Sequence, residues 1–62
     1  MNAKDLISLL EKAGFEFDRS PASSHRIYKK KGFPQISVPY HGSKDIPIGL
    51  ANKILKQAGI KS

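Results

Sequence analysis

The chain has 62 residues, no cysteine and a formal net charge of +6, with a pI of about 9.9. That length allows one domain over residues 1–62, burying only about 60% of the surface of its unfolded chain, so chemistry must take place on an open surface or shallow groove. Disulfides and thiolate metal sites are excluded, and the opening MNAKDLISLL, interrupted by Asp5 and followed by Glu11 and Lys12, suits neither a signal peptide nor a membrane span, which points to a reducing, cytoplasmic setting.

Residues 3–13 predict an amphipathic helix, with Leu6, Leu9, Leu10 and Ala13 at helical spacing, Asn2 as N-cap, Asp5 near the positive end and Gly14 as the left-handed stop. Phe15 to Asp18 alternates and reads as a strand with Phe15 and Phe17 inward. Ser20 to Ser24, with Pro21, reads as a loop. His25 to Lys30 is a second strand and Lys31-Gly32 a turn. Gln35 to Val38 is a third strand bracketed by Pro34 and Pro39. Tyr40 to Ile46 is irregular. Pro47 then fits the first position of a helix carrying Ile48, Ala51, Ile54, Leu55 and Ala58 on its core side and ending at Gly59.

The order is α-β-β-β-α. The expected fold class is α+β, with two layers: a three-stranded antiparallel sheet covered on one face by the two helices. Strand parity places Ile27 in the core. His25, two residues earlier, then shares that side and projects from the rim beside the helices, while Arg26, Tyr28 and Lys30 point to the uncovered face.

Charge is one-sided. Residues 1–18 carry two lysines against four acids, a net of −2, and residues 19–62 carry nine Lys and Arg against Asp45 alone, a net of +8. Such a surface attracts a polyanion by releasing counterions from phosphates, so nucleic acid leads as a partner, with a merely solubilising surface as the plainer account.

The chain has two histidines, His25 and His41, and the meander brings the strand ends that carry them to one edge of the sheet. Two histidines without cysteine or clustered carboxylates do not complete a zinc site. Ser23 and Ser24 lack a nucleophile-elbow setting, and Gly42-Ser43-Lys44 lacks the preceding glycine of a phosphate loop. Metal-free RNA cleavage needs less. RNA supplies its own 2′-hydroxyl nucleophile, histidine exchanges protons near neutral pH, and Arg or Lys offsets the charge growing on phosphorus. His25 with Arg26 and Lys29 meets this minimum; on chemistry alone an exposed polar residue without a role fits equally well.

Three phrases in order carry a resemblance: Ser24-His25-Arg26-Ile27-Tyr28-Lys29, Val38-Pro39-Tyr40-His41-Gly42 and Ile54-Leu55-Lys56-Gln57-Ala58-Gly59-Ile60. Together with the opening Lys4-Asp5-Leu6 and Leu9-Leu10, the chain resembles the HicA family, small mRNA-cleaving toxins of bacterial and archaeal toxin–antitoxin pairs. The resemblance implies a fold like a double-stranded-RNA-binding domain and a HicB-type antitoxin as partner. It also implies that His25 is catalytic, as the histidine of a Gly-Ser-His motif. Ser23 stands where that motif has glycine, which leaves the histidine in place. His41 falls in the Val-Pro-x-His phrase, with a loop-ordering hydrogen bond as its expected role.

RNA contacts are expected from Ser24, Arg26, Lys29, Lys30, Lys53 and Lys56. The run Lys29-Lys30-Lys31 reads equally as a solvated hairpin tip, Lys53 and Lys56 as a plain amphipathic surface, and Tyr28 as a packed aromatic rather than a base stacker. Two further functions compete. A non-catalytic double-stranded-RNA-binding module would carry a dense lysine cluster at the start of its last helix, where this chain reads Lys44-Asp45-Ile46-Pro47. A pure interaction protein would bind an acidic protein through its positive face. For the toxin reading no cofactor is expected. Control must come from outside the chain, from an acidic antitoxin that covers His25.

Overall fold

The structure, a computed structural model, describes residues 1–40 and 45–60, so His41 and its expected place near His25 lie outside the described residues. Helix α1 (Ala3–Lys12) begins where the spacing puts it: the Asn2 side chain accepts the Asp5 N–H at 2.8 Å. Such a cap is worth about 1 kcal/mol. Ala3, Leu6 and Leu10 form its buried stripe. At its end Gly14 adopts φ +98°, and the N–H groups of Phe15 and Gly14 bond back to the carbonyls of Leu10 and Glu11 at 3.0 Å each. This closes the helix with a left-handed residue that only glycine adopts without strain. Helix α2 (Ile48–Gln57) ends the same way at Gly59, with Ile60 and Gly59 donating to Leu55 and Lys56.

Strands β1 (Glu16–Ala22), β2 (His25–Lys29) and β3 (Ile36–Pro39) form an antiparallel sheet in the order β1-β2-β3. The expected loop from Ser20 is therefore shorter. Ser20, Pro21 and Ala22 belong to β1, and only Ser23-Ser24 turn the chain. Proline is tolerated here because β1 is an edge strand whose register slips twice, between Phe17 and Arg19 and between Arg19 and Ala22. No described non-glycine residue has a positive φ, so the Ser23-Ser24 turn does not require the family's glycine.

Pairing across β2 and β3 corrects the expected parity. Arg26 lies opposite Val38 and Tyr28 opposite Ile36, while His25 faces Pro39 and Ile27 faces Ser37. Directly opposed residues share a face. Val38, Ile36 and Tyr28 belong to the buried core, so the even-numbered residues of β2 face the helices. Ile27 and His25 face away from them, on the open side. Ile27 is still 7% exposed, but it lies outside the main core cluster.

Both helices pack against β3. Phe15 is buried between helix and sheet, whereas Phe17, expected inward, is 51% exposed. It does point to the helix side, opposite Tyr28, but it stands on the edge strand farthest from β3, beyond the helices' cover. Ile48, expected in the core, is 74% exposed. Ile46, just outside α2, is buried instead, pinned by its N–H to the Met1 carbonyl at 2.7 Å. Pro47 precedes the helix as its N-cap residue rather than opening it.

Candidate active site on the open sheet face

His25 opens β2 directly after the two-residue turn, and its side chain is exposed. Four contacts fix this corner. Tyr40 N–H donates to the Ser24 carbonyl at 2.7 Å, joining the end of β3 to the turn. The Ser20 hydroxyl donates to the His25 carbonyl at 2.7 Å and lies 3.0 Å from that of Ala22. Ser24 Oγ stands 3.2 Å from His25 Nδ1 and orients the ring. A hydroxyl can donate to a bare nitrogen or accept from a protonated one, so this partner serves either protonation state. Among the described residues nothing else bonds the ring.

The residues expected to bind RNA lie on three surfaces. Ser24 and Lys29 accompany His25: Lys29, two residues beyond Ile27, faces the open side, about 13 Å along the strand from His25. Arg26 does not. Its guanidinium lies on the helix side, 4.1 Å from the Tyr40 ring centre and 5.9 Å from that of Phe17. Lys30 is likewise engaged: its ammonium donates to the Ala13 carbonyl at 2.6 Å and lies 4.7 Å from the Phe33 ring, closing the C-terminal end of α1. Favourable charge at a helix C-terminus explains that placement. Lys53 and Lys56 are exposed on the side of α2 turned away from Ala51, Ile54, Leu55 and Ala58, hence on the outer surface of the helix layer, opposite His25.

The open face also holds charges that the sequence reading passed over. Asp18 forms ion pairs with Arg19 and, at 3.5 Å, with Lys29. Arg19 lies opposite Ile27 and so shares the face of His25. Simple alternation from Phe17 would have placed Arg19 on the helix side; the bulge re-aims it. Pro21 falls in the second slip, between Arg19 and Ala22, so no residue of β1 signalled the first one, which turns Arg19.

No helix among the described residues is long and apolar enough to cross a membrane. No curated protein matches the chain. A family profile, the HicA toxin of bacterial toxin–antitoxin systems, matches it over residues 3–60. With that match covering nearly the whole helix–sheet–helix unit, the chain belongs to the HicA family and is the toxin of a toxin–antitoxin pair.

Proposed function

We propose that this toxin is a metal-independent endoribonuclease that cleaves mRNA, with His25 as general acid–base catalyst. The observation that carries the reading is the exposed His25 imidazole at the head of β2, tethered through Nδ1 by Ser24 Oγ at 3.2 Å. In the step envisaged, Nε2 removes the proton from the ribose 2′-hydroxyl, O2′ attacks the adjacent phosphorus, and the P–O5′ bond breaks. The departing O5′ takes up a proton, leaving a 2′,3′-cyclic phosphate and a 5′-hydroxyl. The substrate supplies the nucleophile, so no metal-bound water is needed. Ser24 and Lys29 are the expected RNA contacts that share the histidine's face.

A free ribonuclease damages its host's messages, and among the described residues nothing covers His25. The antitoxin partner that the family implies is, in this reading, of HicB type and covers His25 with an acidic surface. Co-expression should yield a complex that no longer cuts RNA; a complex as active as the free toxin would rule out occlusion.

The test is His25→Ala. The side chain is exposed, so the variant should keep the wild-type fold and melting temperature yet lose RNA cleavage and toxicity, and the wild type should cut in excess EDTA. DNA, lacking the 2′-hydroxyl, should bind and survive. Wild-type cleavage by His25→Ala, or activity lost in EDTA and restored by magnesium, would refute the mechanism.

A further inference from the structure

We propose that Lys29 and Arg19 form a phosphate-binding track along β2 that ends with Arg19 beside His25, and that Asp18 is the internal counter-ion the RNA backbone displaces. The inference rests on the reading of His25 as the cleaving residue and supplies the cation close to the histidine which that reading lacks, since Lys29 stands about 13 Å along the strand and Arg26 lies on the other face of the sheet.

The register places Arg19. β1 uses seven residues to pass the five of β2, and its slips between Phe17 and Arg19 and between Arg19 and Ala22 take up the surplus. Phe17 opposes Tyr28 on the helix side, but Arg19 opposes Ile27 on the open side. His25 is two residues from Ile27, which makes it the diagonal neighbour of Arg19. Diagonal positions lie about 7–8 Å apart at Cα, a gap that a long side chain spans. The ion pairs independently support this placement: Asp18 reaches both Arg19 and Lys29, and Lys29 lies on the face of Ile27 by its own strand's parity.

The three charges are built to exchange partners. The side chains of Arg19 and Lys29 are 55% and 60% exposed, against 25% for Asp18. Exposed ion pairs of this kind add little to stability, so they are cheap to break. Both cations are held by one carboxylate; among the described residues of the sheet the other acid on this face is Glu16, opposite Lys29. A phosphodiester offers the planar guanidinium two non-bridging oxygens that share one negative charge, a geometry arginine favours. An RNA strand lying along β2 would thus meet Lys29, then Arg19, then His25. With Arg19 on the phosphate at His25, the negative charge that grows on phosphorus during attack falls on the guanidinium.

The test separates binding from cutting. In a His25→Ala background, with a short fluorescent single-stranded RNA as probe, Arg19→Ala should weaken binding about tenfold and lower the log–log salt slope by about one contact. Arg19→Lys should fall between the two. Asp18→Asn should bind several-fold more tightly. With His25 restored, Arg19→Ala should lower kcat about 10²-fold, the usual effect of removing one charge-stabilising donor. Circular dichroism melts of each variant should overlay the parent. Unchanged RNA binding by Arg19→Ala, or no gain from Asp18→Asn, would overturn the proposal and leave the cluster to an acidic protein partner. If the binding changes appear but the intact chain cuts no RNA, the phosphate site stands and the ribonuclease reading falls. If the chain cuts through His25 and Arg19→Ala behaves as wild type, the failure belongs to this proposal alone.

Discussion

The two faces of β2 divide the work of the molecule residue by residue. Arg26, Tyr28 and the following Lys30 turn toward the helices, where aromatic rings and a helix carbonyl take up their groups. His25, Ile27 and Lys29 turn outward, where the only charged partner of Lys29 among the described residues is an exposed ion pair. One face is held by packing; the other keeps its polar groups available. A strand of five residues thus separates packed groups from available polar ones by the alternation of its side chains alone. Changes on the inner face should therefore appear in melting curves, and changes on the outer face in RNA cleavage and binding.

The largest expected loss of stability comes from the inner face. Tyr28→Ala removes a ring that is 2% exposed and packed among core residues, and should cost roughly 3–5 kcal/mol, enough to unfold much of so small a domain. Ile27→Ala should cost clearly less, because Ile27 lies outside that cluster; urea titration of both variants gives the ratio. A larger loss at Ile27 would reverse the assignment of faces. Lys30→Met sharpens the comparison: the stem still packs, but the hydrogen bond to the Ala13 carbonyl and the cation on Phe33 are lost. The expected cost is roughly 1–2 kcal/mol, with RNA binding falling by less than it does in Lys29→Ala. If Lys30→Met keeps full stability and loses RNA binding, the lysine belongs functionally to the outer face. Smallest of all, Ile48→Ser should shift stability by about 0.5 kcal/mol or less, since this residue is 74% exposed. A drop of 2 kcal/mol would return Ile48 to the core.

Much of this was legible in the residues. Helical spacing and Asn2 located α1, and Gly14 marked a left-handed position that the backbone confirms; Gly32 and Gly59, read as a turn and a helix end, are left-handed as well. The antiparallel meander followed from three short runs joined by tight links. The parity of β2 was not legible, because Ile27 and Tyr28 are adjacent, both apolar enough for a core and both buried. Choosing the aliphatic one inverted the face. Phe17 misled in another way: alternation assigns a side, but only the tertiary arrangement tells whether a helix reaches that far. In the candidate site, His25 stood out by residue type and by its place at a strand head. Arg19 did not, since its direction depends on a bulge, and a bulge is a relation between two strands rather than a property of one.

That dependence has an evolutionary side. Which residues of β1 look toward His25 is set by how many residues the strand contains as well as by their identity. The inward-packed residues lie mainly on β2, β3 and the two helices, so β1 can gain or lose a residue at its bulges with little disturbance to them. A single insertion or deletion there rotates a different charge into the neighbourhood of the histidine. This gives a lineage of such toxins a way to diversify its surface chemistry in one mutational step, without redesigning the scaffold.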